Sequence, residues 1–378
     1  MKDIVWIEES KFVEKFPATG SEIIQITSGS YWSHNIYCEQ PYCTKDGKRL
    51  VFMRNFSTDQ QKEQELWICD MESKKIALIE KNTYETVACS AYSGYLYYIA
   101  KRGGKRKLIC LSLESLEKEE VFDLTDVPEF RTIGSVSPDL RYYVNLAFLG
   151  PERWGLIRLD LKEKTWKVIE ERKDIVNPHP QFEPGTGKDL LIQYNRGAVS
   201  DEKGNVLRWI GEEGITLYVI DYNGENYRPL PVGKPHTEPA TGHECWIGNT
   251  GEVLLTISTS EEKAIQQGNL IAAFPGGEKP RIISRGYQFN HISVSRDGRF
   301  FVGEARNLPS KPIVVGSIRT GRCAILCDTN TSYRYPQYTH PHAYFTGDCR
   351  WVIFNSDRTG TGQIYAASVP EGLLENLE

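Results

Sequence analysis

The chain has 378 residues, 40% hydrophobic and rich in Tyr (20), Trp (8) and Gly (32), which supplies a large core and favours β-structure with many tight turns. Its 45 basic and 50 acidic residues leave a net charge of −5, without the basic face that a nucleic-acid binder needs. No apolar run approaches a membrane span, the opening MKDIVWIEESKFVEKF carries acids where a secretion signal needs an apolar stretch, and the nine cysteines form no CxxC pair, so the expectation is a cytoplasmic protein with buried free thiols.

A degenerate repeat runs along the chain: a strand, a turn with Asp-Gly or an equivalent, a second strand, a loop, and a strand ending in Asp-Leu or similar. Residues 22–27 (EIIQIT) come first and read as a final strand for the last blade, closing the ring. Thr44-Lys45-Asp46-Gly47 then opens the series, followed by Glu65-Leu66-Trp67-Ile68-Cys69-Asp70. Next come Gly94-Tyr95-Leu96-Tyr97-Tyr98-Ile99, the basic hairpin of residues 101–107 (KRGGKRK) with solvated charges, and Ser137-Pro138-Asp139-Leu140. A fourth copy holds Lys188-Asp189-Leu190-Leu191 and a long insertion at 196–214. The fifth has Gly248-Asn249-Thr250-Gly251, the sixth Ser295-Arg296-Asp297-Gly298, and the seventh Gly347-Asp348-Cys349-Arg350 with Gln363-Ile364-Tyr365.

The spacing of roughly 40–50 residues suits a four-stranded propeller blade. The expectation is therefore an all-β chain, residues 1–378 as a single domain: a seven-bladed β-propeller of four-stranded antiparallel blades, its ring closed by the N-terminal strand. Six- and eight-bladed rings are the alternatives. No helix-period stretch of useful length stands out, and residues 371–378 suit one helical turn.

Chemistry concentrates in the seven histidines. Six of them, all but His236, precede a hairpin turn of the repeat by a few residues, which places them early in the innermost strands, where successive blades converge. His340 and His342 are two apart and would share one strand face. Gln337 lies three residues earlier, and His291 occupies the matching position of the preceding copy. Three imidazoles and an amide oxygen make a plausible site for a divalent metal. His243 is a fourth ligand or a general base. Arg54, Arg196 and Arg358 follow the second strands, at points expected to return to the same channel mouth, where guanidinium groups suit carboxylates.

These residues resemble the oligogalacturonate lyases, metal-dependent lyases of pectin fragments with a seven-bladed propeller fold. Gln337-Tyr338-Thr339-His340-Pro341-His342 is similar to the family's Gln-x-Thr-His-Pro-His, and His243-Glu244-Cys245-Trp246 to its His-Glu-Phe-Trp. Asn290-His291 with Asp297-Gly298, and His34 with Gln40 and Asp46-Gly47, fit two further blades. The resemblance implies that His291, Gln337, His340 and His342 hold a divalent metal, manganese in the family, and that His243 is the base. It also implies a short uronic-acid oligosaccharide as substrate, with His34, Arg54, Arg208 and Arg358 as candidate binding residues. The family's arginine in the fourth blade is absent: Thr216 stands there, so Arg196, or else Arg208, is the candidate replacement. Two other readings stay open, a propeller that binds sugar or protein around a structural metal, and another metal-dependent carbohydrate enzyme.

Overall fold

The structure, a computed structural model, describes residues 4–55, 64–83, 86–334 and 339–378. It is built almost entirely of antiparallel strands, grouped as successive four-stranded meanders. The first comprises Trp32–His34, Arg49–Asn55, Gln64–Asp70 and Lys75–Thr83. The second comprises Ala88–Cys89, Tyr95–Arg102, Lys105–Ser112 and Lys118–Asp123. Gly134–Val136, Tyr142–Gly150, Arg153–Asp160 and Thr165–Arg172 follow, and their first strand pairs in parallel with Ala88–Cys89. Then come Gln181–Phe182, Asp189–Asn195, Ile215–Asp221 and Arg228–Pro229, and after them Ala240–Trp246, Val253–Ile257, Leu270–Ala273 and Arg281–Ser284. Phe289–Val294, Phe300–Ala305, Ile313–Ser317 and Cys323–Cys327 precede the C-terminal sheet of Tyr344–Phe345, Trp351–Ser356 and Gln363–Ser368. The strand Glu22–Gln25 pairs with Gln363–Ser368 and carries Lys11–Lys15 outside it. Trp6–Glu8 adds to the outer edge of the first sheet.

The repeated turns share one piece of chemistry. Thr44, Ser137, Ser295 and Thr346 each donate a hydroxyl to the aspartate two residues on, at 2.5–2.7 Å. Each aspartate accepts the backbone N–H two residues further along, from Lys48, Arg141, Arg299 and Arg350. This is the local side-chain bonding that favours Asp, Ser and Thr in turns. In the basic hairpin Arg102 pairs with Lys105, and Gly103 and Gly104 both take positive φ, as a two-residue turn of this hand requires.

One apolar core lies between each pair of consecutive sheets. Val51, Leu66 and Ile68 of the first sheet pack on Leu96, Tyr98 and Ile109 of the second. Val302, Ile313 and Val315 pack on Phe345, Val352 and Phe354. A further core joins the C-terminal sheet to the first, with Ile353, Ile364 and Ala366 against Leu50, Phe52 and Cys69. All nine cysteines are free, and six of them are buried.

The structure departs from expectation in two elements. Residues 339–343 are not a strand, so His340 and His342 do not meet through strand alternation. A helix, Glu261–Gln267, also forms. Ser260 caps it by accepting the Lys263 N–H, and Gly268 ends it. The 196–214 insertion contains a small hairpin, Val199–Ser200 with Val206–Arg208, and a single 3-10 turn, Glu375–Leu377, ends the chain.

Candidate metal centre

Irregular backbone brings the histidines together. The pairing of Phe289–Val294 with its neighbour breaks between Phe289 and Ile292, which leaves Asn290 and His291 in a bulge. The pairing of Ala240–Trp246 breaks between Ala240 and Glu244, around His243. Bulges re-aim side chains in this way beside functional sites. In the second bulge Gly242 takes φ 91, and a Cβ there would stand 2.9 Å from the Gln193 side-chain oxygen.

His342 adopts φ 42, unusual for a residue with a side chain. An amide pair holds it. Asn35 Nδ2 donates to the His342 carbonyl at 2.7 Å, and Asn355 Nδ2 donates to the His340 carbonyl at 3.1 Å and to Asn35 Oδ1 at 3.0 Å. Thus a left-handed turn, not a shared strand face, sets the two rings perpendicular, with centroids 5.7 Å apart.

His291, His340 and His342 each offer a ring nitrogen, and these three atoms lie within 4.8 Å of one another. His291 Nδ1 is 2.6 Å from Glu304 Oε1, which also accepts the Tyr333 hydroxyl at 2.6 Å. A carboxylate behind one ring nitrogen fixes the tautomer and leaves the other free to bind a metal. Burial would raise the Glu304 carboxyl, but the His291 ring and the Tyr333 hydroxyl outweigh it and hold it below its usual range. Burial and then the His291 ring push His340 down to about 4. Burial, followed by His291 and His340, takes His342 well below the usual histidine value. His340 and His342 are therefore neutral near pH 7, and the three rings together form a donor set that fits a divalent cation.

His243 adjoins the cluster, its ring centroid 4.1 Å from that of His291. Its Nδ1 is 3.1 Å from the Tyr37 hydroxyl. Burial first, and the neighbouring imidazoles of His291 and His179 next, depress it well below the ordinary value. These residues line a cavity of about 510 Å³, together with His34 and Trp32. That size suits a small ligand.

Gln337 lies outside the described residues. His34 is in the cavity wall, stacked on Trp32 and 3.3 Å from Gln64 Oε1. The four arginines do not join them. Arg54 is 2% exposed, and both its terminal nitrogens hold Glu9, at 3.1 and 2.9 Å. Arg358 donates to the Thr329 and Asp328 carbonyls and to Glu14. In both, an acid from the N-terminal segment engages the guanidinium group, Glu9 for Arg54 and Glu14 for Arg358. Arg208 donates to the Gly197 carbonyl at 2.9 and 3.1 Å and is exposed. Arg196 donates to Thr216 at 3.0 Å, lies 3.5 Å from Glu213, and lines a separate cavity of about 720 Å³.

An arginine outside those four, the exposed Arg306, is close enough for its charge to add a small downward push on His243 and His340, although it does not line their cavity. It directly follows the strand Phe300–Ala305, one place further along its copy than Arg54, which lies within the strand Arg49–Asn55 of the first. Tyr37, Glu304 and Tyr333 were also missed; nothing local in the sequence marks them.

No family model matches the chain. It is similar along nearly its whole length to an oligogalacturonate lyase of Dickeya dadantii (strain 3937): 23% identical over 403 residues, covering 94% of this chain and 95% of that one. A solved oligogalacturonate lyase in complex with manganese superposes with a TM-score of 0.74 at 19% identity, covering 98% and 99% of the two chains. The β-propeller domain of the Trilobed protease from Pyrococcus furiosus aligns with a TM-score of 0.51 at 10% identity, covering 89% and 95%. The fold is thus propeller-like.

Proposed function

We propose that this protein is a metal-dependent lyase that cleaves short uronic-acid oligosaccharides by β-elimination. The observation that carries this reading is the three-imidazole cluster beside a neutral, half-buried His243 in one cavity. The similarity to oligogalacturonate lyases along the chain supports it.

The C5 hydrogen of a uronide is only weakly acidic. A divalent ion, manganese as in the solved lyase, held by His291, His340 and His342 with Gln337 as fourth donor, would neutralise the neighbouring carboxylate and acidify that hydrogen. His243 would take the proton on Nε2 in the tautomer whose Nδ1–H donates to the Tyr37 oxygen, 3.1 Å away. The electron pair left at C5 forms the C4–C5 double bond as the C4–O bond breaks, and the departing oxygen takes a proton from water. Arg306, whose charge is felt at His243 and His340, is the candidate for the guanidinium that would hold the substrate carboxylate, the role expected of Arg196. Glu304 and Tyr333 act through His291, which they orient.

We further infer a single domain of seven blades closed by Glu22–Gln25. The pairing of that strand with Gln363–Ser368 and the core shared by the last and first sheets support it. The free thiols are consistent with the cytoplasm.

The test is absorbance in the band of a 4,5-unsaturated uronate, with manganese-loaded protein and a panel of digalacturonate, unsaturated digalacturonate and glucuronate-containing disaccharides. Growth of the band from a saturated substrate, or its loss from an unsaturated one, both abolished by chelator, is expected. His243→Ala should abolish turnover and keep the metal. Silence across the panel with metal bound would reject the lyase reading and favour a binding propeller.

A further inference from the structure

A second group of potential ligands adjoins His243. Glu39, His179 and Glu244 each offer one oxygen or nitrogen, and these atoms also lie within 4.8 Å of one another. They come from three different copies of the repeat: Glu39 follows the strand Trp32–His34, His179 precedes Gln181–Phe182, and Glu244 is in Ala240–Trp246. The Tyr37 ring touches both His179 and His342, at centroid distances of 5.3 and 4.6 Å, and so separates this group from the three-histidine cluster.

The polar atoms here are not satisfied by the protein. Glu244 is fully buried, and neither of its carboxylate oxygens has a hydrogen-bond partner among the described residues. His179 Nδ1 is 3.2 Å from Glu39 Oε2, yet it too lacks a well-formed hydrogen bond. Among the described residues Glu39 has ion pairs only with His179 and with His243, at 3.9 Å, and Glu244 has none. Among the described residues no lysine or arginine pairs with either carboxylate. Other contacts hold the group in place without filling its centre. Gln181 Nε2 donates to Glu39 Oε2 at 3.1 Å and to the Glu244 carbonyl at 2.7 Å, and the Glu244 N–H donates to Glu39 Oε1 at 3.3 Å. The Asn177 side-chain amide is 3.0 Å from His179 Nε2; for His179 Nδ1 to carry the lone pair a metal needs, that amide turns its oxygen to the Nε2–H. A cavity of about 40 Å³ borders Glu39 and His179, larger than the roughly 10–15 Å³ that a water needs.

Buried charges persist when they are paired or coordinate a metal. Two carboxylates and an imidazole, with oxygens aimed at one another and no cationic side chain between them, form a donor set for a borderline divalent ion. We propose that Glu39, His179 and Glu244 form a second divalent-cation site, taking Mn2+ or Zn2+, distinct from the three-histidine centre. This site does not depend on the lyase reading. Its role is to neutralise the carboxylates behind His243 and tie three copies of the repeat together at one point.

The experiment is the metal content of chelator-treated protein reloaded with Mn2+ alone or Zn2+ alone and freed of excess by gel filtration. The wild-type protein should hold about two ions per chain, as two closed donor sets would. Glu244→Gln should lose one and His342→Ala the other, and Glu39→Gln should reproduce Glu244→Gln should that variant fold poorly. A wild-type metal content unchanged by both carboxylate substitutions would overturn the proposal. Infrared spectra of the wild-type protein give a check that needs no variant. Any protonated-carboxyl stretch of the metal-free form should vanish on reloading, and its persistence at saturation would overturn the site. Failure of the three-histidine centre alone would appear as His342→Ala keeping wild-type metal, with the Glu244→Gln loss intact.

Discussion

Arg306 shows how much a single position depends on what meets it. Arg54, Arg196, Arg358 and Arg306 all lie just at or beyond the end of a second strand of their copies. Glu9 takes the first, Thr216 and Glu213 engage the second, and Glu14 with two carbonyls takes the third. No hydrogen bond or ion pair to a described residue engages the Arg306 guanidinium, and its charge is felt at His243 and His340. Arg306→Ala is therefore expected to lower kcat/KM on the cleaved uronide by about 10- to 100-fold, the worth of a charge-assisted hydrogen bond. Arg196→Ala should change it far less. Equal losses in steady-state assays of the two variants would return the role to Arg196. The histidines behave otherwise: their pattern was legible because the repeat itself carries them.

At the scale of elements, the hairpin turns were readable because their chemistry is local. The Ser/Thr-x-Asp unit makes its bonds within five residues. The bulges at His243 and His291, and the left-handed His342, were not readable, since each depends on a neighbouring strand or on the Asn35–Asn355 pair 320 positions apart. The helix Glu261–Gln267 was overlooked because seven residues give too little periodicity, although Ser260 and Gly268 mark its ends.

Adjacent outer strands also share a charged knot. Glu80 accepts from Tyr98 at 3.0 Å, Arg102 at 2.6 Å and Lys118 at 3.2 Å. Burial would raise its carboxyl, but Arg102, Lys118 and Tyr98 outweigh it and hold it below the usual value. A depressed carboxyl contributes stability above the unfolded value of about 4.3 and loses it as pH falls through the folded one. Glu80→Gln should lower Tm at pH 7 by about 1–2 °C, since Arg102 is partly exposed and screened. The difference from wild type should shrink as pH falls below about 4. A Tm gap that stays constant through that window in calorimetric scans would show that Glu80 acts by packing rather than charge.

For the whole molecule, the decisive feature is how the N-terminal segment ties the two ends of the chain. Trp6–Glu8 pairs with the first sheet, while Lys11–Lys15 and Glu22–Gln25 pair with the last. Ile23 and Ile26 are fully buried in the two flanking cores. Burying each contributes about 1.5–3 kcal/mol, and the strand also covers the edge of Gln363–Ser368. Total stabilities run only about 5–15 kcal/mol. Removing residues 1–27 should therefore abolish cooperative unfolding or drive aggregation, as monitored by circular dichroism and light scattering. A truncated protein with a wild-type melting curve would show that the ends hold without the strap.

The sequence by itself determined the strand-and-turn repeat, the class of fold and the histidines of the candidate centre. Those features recur at short range, through period-two alternation, turn residues and equivalent positions in successive copies. The tertiary structure decided which charged groups face the centre. Tyr37 meets His243 across 206 positions, Glu14 takes Arg358 across 344, and Glu39, His179 and Glu244 come together from three separate copies of the repeat. Such pairings depend on which side of a sheet a residue faces and which distant segment packs there, and a linear pattern does not carry that information.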